Sequence, residues 1–442
     1  MAYYGSMATN PQLSTSPPRV SSQRPTHVRH YVLYLTVAAY MITYMDRVVL
    51  STATPSIMKE FGFSLITMST FVASFRWAYS IFQIPGGWLG DRIGPRKALS
   101  LIVCWWSMFT SFTAMAWSAG SMQVIRFIFG MGEAGAFPIA TRSLSRWMLA
   151  RERGHAQGIT HAGSRLGAAL TPPLVVWLII RYGWRMPFFV FGAMGLVWAA
   201  VWFFYYRDSP EEHRGVNDAE RELIHASSGG ARAKVGTVVP WRAILASPTI
   251  WALSAMYFCY QYSLGVYLDW FPTYLKEFRG FSLAQMGFYA SLPMFAGMGG
   301  DLLGGWLTDM MLRKTGNVTL SRRVVGAAGF LLGAAGIIPA TLTHDPKTCV
   351  AFSCLAFGAL EVTVAVSWAI PLDIAGDFAG SAAAIMNMTG NIGAALSPTI
   401  LAYLVKYYGW NYPFLVAAGL SVIGAAIYLK IDASKRIALP AS

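Results

Sequence analysis

Apolar stretches about as long as a lipid bilayer is thick recur along this chain, and no other feature of the sequence restricts its fold as tightly. A helix crossing the ~30 Å hydrocarbon core needs about 20 predominantly apolar residues. Twelve such stretches are read, at 31–53, 65–89, 97–117, 121–145, 156–180, 187–206, 248–274, 283–311, 322–342, 348–371, 379–404 and 411–430. Only 12% of the residues are charged, where a soluble globular domain carries roughly 25%. The expected fold class is all-α integral membrane, with twelve transmembrane helices.

The longest polar interval, 207–247, holds a short amphipathic segment from Asp218 to His225 and then a Gly229-Gly230 joint. It divides the chain into six helices, 31–206, and six more, 248–430. Residues 1–30 are rich in Ser, Pro, Gln and Arg and show no short apolar run followed by a small-residue cleavage site. They are expected to form a disordered cytoplasmic tail, with 431–442 as a second tail. A net charge of +14 raises the question of nucleic acid as a partner. The Lys and Arg side chains, however, gather in the N-terminal tail, alternate loops, the central loop and the C-terminal tail. That is the positive-inside distribution, by which both termini are expected in the cytoplasm of a multi-pass membrane protein; the expected location is the bacterial inner membrane. The basic balance thus reports topology, and nucleic acid is not expected as a partner. Cys104, Cys259, Cys349 and Cys354 lie scattered in apolar segments with no CxxC pair, so neither a disulfide framework nor a metal site is expected. The sequence shows no Walker-type loop or nucleophile constellation, which argues against an enzyme and for transport driven by a gradient, without a cofactor.

Matched strings occupy matched places in the two halves. GGWLGDRIGPRK at 86–97 follows the second helix and GGWLTDMMLRK at 304–314 the eighth. GAALTP at 167–172 answers GAALSP at 393–398, and YGWRMPF at 182–188 answers YGWNYPF at 408–414 at the same offset. Duplicated halves around a central cavity are a transporter architecture, with the binding site near mid-membrane and alternating access by rocking of one half on the other. A membrane sensor, the reading from another class, needs neither duplicated halves nor charges at mid-membrane.

GGWLGDRIGPRK resembles the signature between helices two and three of the major facilitator superfamily. YMDRVVLS at 44–51, RFIFGMGEAGAFP at 126–138 and YGWR at 182 together resemble its anion:cation symporter branch, which includes bacterial symporters for galactonate, hexuronates and glucarate, sialin and the vesicular glutamate transporters. The resemblance covers nearly the whole chain. It implies two pseudo-symmetric six-helix bundles and symport of a small organic anion with a proton. One departure is Arg165, in GSRLG, which stands where many relatives carry no charge.

An ionisable group at the centre of a bilayer costs several kcal/mol, roughly 3 on insertion scales, and is by default a functional hypothesis with a partner to be named. Asp46 and Arg47 lie about fifteen residues into the first helix, Arg76 about eleven into the second, Glu133 about twelve into the fourth and Arg165 about nine into the fifth, all well inside the core at 1.5 Å per residue. Asp46 and Glu133 are the candidates for proton carriage, against the alternative that each is held permanently by an arginine; the resemblance implies protonation at the matching Asp and Glu. Arginine offers a planar fork that matches a carboxylate bidentately. Arg47 is the first candidate for the substrate's carboxylate, with the Tyr79 hydroxyl beside it. Arg76 either lines the same cavity or pairs with Asp46 or Glu133. Arg165 is a further substrate candidate, one turn from His161. Arg126 either snorkels to its helix end or forms a gating pair with Glu133. Three cations against two carboxylates favour an anionic substrate, and slightly a diacid.

The second half contributes polar and aromatic candidates suited to hydroxyls: Tyr257, Gln261, Ser367, Trp368 and Asn391, the last in the repeat position of Arg165. Glu361 and Asp301 also fall inside expected helices. Asp91 with Arg92 and Arg96, answered by Asp309, lies at a cytoplasmic helix end, where an acid can cap a neighbouring helix dipole and latch the halves. The expectation is a proton-coupled symporter for a sugar acid, acting as a monomer. Its alternatives are another anion, such as an aromatic acid or phosphate, or sodium coupling.

Overall fold

Backbone amides have no water to bond in hydrocarbon, so a crossing segment closes its hydrogen bonds within itself and is helical. The computed structural model describes residues 24–149, 152–227, 240–375 and 378–437, and among them there is no β-strand. The first half comprises α1 (Val28–Phe61), α2 (Leu65–Ala114), α3 (Ala119–Glu133), α4 (Ala136–Trp147), α5 (Arg153–Tyr182) and α6 (Met186–Tyr205). After the connecting helices α7 (Asp218–Ser227) and α8 (Trp241–Leu245) come α9 (Pro248–Gly265), a π-helical turn Val266–Trp270, and α10 (Phe271–Glu277). The chain then forms α11 (Leu283–Thr315), α12 (Val318–Leu342), α13 (Pro346–Ala375), α14 (Ala379–Tyr408) and α15 (Asn411–Tyr428).

Eight helical segments among the described residues are long and apolar enough to cross a membrane by length and composition. The other four expected crossings are the two limbs of α2, the broken run α9 to α10, and α11. In α2 the limbs join at Gly94, whose φ of 80° is non-helical. A side chain there would be strained, and its Cβ would sit 2.5 Å from the Asp208 carboxylate. Pro95 comes next and favours the extended backbone that lets the chain turn. The fourth crossing is likewise divided, into α3 and α4.

The internal repeat is visible as geometry. Gly183 and Gly409, one from each YGW string, both end their helices with positive φ, 84° and 95°. Gly167 and Gly393, from the GAAL strings, both lie where a Cβ would meet a carbonyl oxygen at 2.6 Å, that of Met41 on α1 and that of Phe258 on α9. Each half thus packs its first and fifth crossings backbone to backbone, which only glycine allows. Within the halves α2 also packs on α3 and α6, and α13 on α11 and α12; between them α5 meets α11, α2 meets α14, and α1 meets α10.

The amphipathic segment of the central loop is α7, and the Gly229-Gly230 joint lies outside the described residues, as do residues 1–23 of the expected tail. Residues 24–27 are tied down: Asn217 bonds Arg24 and Thr26, and Thr26 donates to Glu220 at 2.6 Å. Glu220, fully buried, also accepts from the backbone N–H groups of Val28 and Arg29, so α7 caps the exposed donors at the start of α1.

Gly393→Val should lower the melting temperature of the purified protein, because overpacking against backbone costs about 1–3 kcal/mol. Gly380→Ala, where the added Cβ meets nothing within 4 Å, should change stability by no more than about 0.5 kcal/mol. Equal melting of the two variants would contradict the close approach.

Candidate functional site

Successive residues on a helix point about 100° apart, so Asp46 and Arg47 serve different spaces. Arg47 turns into a cavity between the halves. Its walls are Tyr44, Arg47, Phe75, Arg76, Tyr79 and Ser80 from α1 and α2, and Gln261, Leu264, Leu268, Asp269, Asn391 and Ala394 from α9, the π turn and α14. Arg47 donates from Nε to Glu133 of α3 at 2.5 Å. The rings of Tyr79, Tyr44 and Phe75 stand 4.7, 5.2 and 5.5 Å from its guanidinium carbon, an aromatic setting that stabilises a cation away from bulk water. Asp46 is fully buried beside Thr110 and Trp106 of α2. The Thr110 hydroxyl and the Trp106 indole N–H are the donors that face it, and no arginine among the described residues pairs with it.

Arg76 does not pair with Asp46 or Glu133. It bonds Asp269 in the opposite half through Nε at 2.9 Å and Nη2 at 2.9 and 2.7 Å, with only 12% and 10% of the two side chains exposed. Asp269 was not among the residues singled out from the sequence. The same criterion that marked Glu133, a carboxylate inside an apolar segment, applies to it. Its place in a π turn, which shifts the helical register, hides the face it presents.

Arg165 also reaches across the halves, at 2.8 Å from Glu361 of α13. Tyr260 of α9 donates to Glu361 at 2.9 Å and accepts from Arg165 at 3.2 Å. All three are buried. The surplus of three cations over two carboxylates is therefore corrected: Asp269 and Glu361 balance Arg76 and Arg165. Arg165 is absent from the cavity wall, drawn instead into this neighbouring network.

Of the candidates in the second half, Gln261 and Asn391 line the cavity. Asn391 donates to Gln83 across the halves at 3.4 Å. Trp368 donates to the Tyr257 hydroxyl at 3.1 Å, with His161 behind it at 6.4 Å between ring centres; this group is not part of the wall. Ser367 is turned into its own half, 2.9 Å from the Tyr428 hydroxyl and bonded to the Thr363 carbonyl, because a helical serine readily satisfies the carbonyl four residues back.

Arg126 does not snorkel: it is 2% exposed, 4.2 Å from the Phe129 ring centre and 5.3 Å from that of Phe75. Its Nε and Nη1 have no hydrogen-bond partner among the described residues. Of the loop motif, the side chain of Asp91 lies outside the described part of the structure, and Arg92 is exposed over Trp88. Arg96 donates from its backbone to Asp208 at 3.0 Å and from Nε to the Phe203 carbonyl at 2.8 Å. Those partners belong to the same half, because the turn at Gly94 aims Arg96 at the end of α6. Asp309 is exposed. In this conformation these loop contacts hold one half together, and do not join the two.

The described residues hold no cluster of metal-ligating side chains. The model of the Major Facilitator Superfamily matches residues 36–398 and 317–441. The chain is 40% identical over 408 residues to the probable sulfoacetate transporter SauU of Cupriavidus necator, covering 91% of this chain and 94% of the relative. It is 31% identical to the probable galactarate/D-glucarate transporter GudP of Bacillus subtilis, covering 94% of each. To the D-galactonate transporter of Escherichia coli it is 30% identical, covering 93% of this chain and 97% of that one. Among solved structures, a bacterial homologue of the human lysosomal transporter Spinster, in an inward-facing and unoccupied conformation, shares the fold with a TM-score of 0.75 at 19% identity, covering 91% of this chain and 97% of that chain. With its repeated halves, its crossing helices and these relatives, the chain belongs to the Major Facilitator Superfamily and is a multi-pass membrane transporter.

Proposed function

We propose that this transporter takes up a small organic anion by proton symport across the bacterial inner membrane, with both termini in the cytoplasm. The observation that carries the reading is that Arg47 and Arg76 wall one cavity between the halves, each already holding a carboxylate of the protein. An arginine fork serves one carboxylate bidentately at a time. Cargo at Arg47 therefore competes with Glu133, and a proton on Glu133 frees the guanidinium for cargo. Proton and anion are favoured together by that single exchange, which is the physical content of symport. Asp46, buried on the other face of α1, is the second group proposed to carry a proton.

Two guanidinium groups in one cavity suit an acid with two anionic ends, such as sulfoacetate or a sugar diacid like glucarate. The relatives named for sulfoacetate and for galactarate/D-glucarate support that class. Gln261, Asn391, Tyr79 and Ser80 supply the polar contacts for hydroxyls. The relative named for D-galactonate favours a second reading, a sugar acid with one carboxylate. The protein is proposed to work as a monomer, without a cofactor.

Uptake into proteoliposomes, across labelled sulfoacetate, D-glucarate, D-galactonate, an aromatic acid and phosphate, should show accumulation driven by an inward pH gradient. Accumulation that tracks sodium and ignores pH would sink the proton roles. Arg47→Ala should abolish binding. Asp46→Asn and Glu133→Gln should each lose accumulation while retaining exchange of labelled for unlabelled cargo; undiminished accumulation in both would contradict the assignment. Glu361→Gln, which leaves the buried Arg165 without its counter-ion, should cost about 3–5 kcal/mol of stability, read as a lowered melting temperature that Arg165→Met in the same chain largely restores.

A further inference from the structure

Arg76 and Asp269 form an ion pair that joins the two halves within the cavity wall itself. Arg76 lies eleven residues from the start of α2 at Leu65, roughly 16 Å along the axis, and Asp269 eight residues from the end of α10 at Glu277, roughly 12 Å. Arg47 is fourteen residues from the end of α1 at Phe61, roughly 21 Å. With the termini cytoplasmic, those three helix ends are all on the outer side. The pair therefore stands between Arg47 and the outer water, on the path that cargo takes to enter.

Asp269 sits on the only π-helical turn among the described residues, Val266–Trp270. Such turns carry one residue more than an α-helix of the same rise, and rewinding to α rotates the adjoining helix on one side by about one residue, ~100°. The α register is already interrupted there, because Pro272, two residues past the turn, donates no backbone hydrogen bond. A rotation of that size removes the carboxylate from a bidentate geometry of 2.7–2.9 Å.

We propose that Asp269 is an internal stand-in for the cargo's acid group. With the outer side closed it occupies Arg76; when the π turn rewinds, it swings away, the outer side opens, and the entering anion takes the guanidinium in its place. The return of Asp269 closes the outer side and evicts the anion from Arg76, so closure and release toward the cytoplasm are one exchange. With no cargo aboard, Arg47 and Arg76 both keep a counter-ion, so the empty transporter can return without baring a buried cation. This rests on the anion reading above.

The test uses the full-length protein in detergent and in proteoliposomes, with labelled sulfoacetate, D-glucarate and D-galactonate. Asp269→Asn should bind the two diacids about 10-fold more tightly, since Arg76 is no longer occupied, while net uptake falls by at least about 10-fold because release fails. D-Galactonate, with one anionic group, should gain less. A merely structural pair would instead weaken binding, melting and uptake together, and that outcome, or unchanged uptake, overturns the proposal. The charge swap Arg76→Asp with Asp269→Arg should restore the melting temperature and leave uptake lost; recovered uptake would show that the pair only fastens the helices. Closure is read without cargo, from the distance between spin labels at Thr70 on α2 and Phe278 beside α10 in a cysteine-free background with unaltered melting. That distance should lengthen in Asp269→Asn. If the wild-type protein binds none of the three acids, the cargo reading fails and the exchange with it, while the label distance still decides whether the pair holds the outer ends together.

Discussion

A guanidinium among transmembrane helices is costly without a counter-charge, and for three of the buried arginines that constraint shapes how the two halves of this protein meet. Desolvating either ion alone costs several kcal/mol, so Arg47, Arg76 and Arg165 each take the carboxylate that the packing brings to them, while Arg126 lies against the Phe75 and Phe129 rings. Arg47 finds Glu133 in its own half, whereas Arg76 and Arg165 find theirs in the other. Two of the three pairs are thus interfacial. They supply specific attachment at an interface where lipid-facing apolar surface supplies little, since hydrocarbon tails are as apolar as leucine.

A division of labour results. On the proposed rocking of the halves, the two kinds of pair differ: Arg47 with Glu133 lies within one half and needs no movement between halves to form, whereas Arg76 with Asp269 and Arg165 with Glu361 can form only when the halves are brought together as they are in this structure. Backbone-to-backbone packing ties α5 to α1 and α14 to α9 within their halves, while α5 on α11 and α2 on α14 form the seam between them.

Much of this is legible in the sequence, because lipid leaves few choices. Twelve apolar lengths and duplicated GAAL and YGW strings yield the fold, and charges without access to water mark Asp46, Arg47, Arg76, Glu133 and Arg165. Partnership is harder to read. Arg76 and Asp269 are far apart in sequence, and which acid meets which arginine depends on helix tilt and rotation that no local pattern encodes. The π turn defeats periodicity at the one position where it matters most. Ser367 and Arg96 show the same limit on a smaller scale: both are in the expected segments, yet one turns to Tyr428 and the other to Phe203 and Asp208, choices made by neighbours and not by spacing.

The carboxylate of Glu220 seals the first turn of α1 from a helix that belongs to the connecting segment. That fastening makes the early part of the connection a passenger of the leading lobe, so the tether's working length is shorter than its residue count.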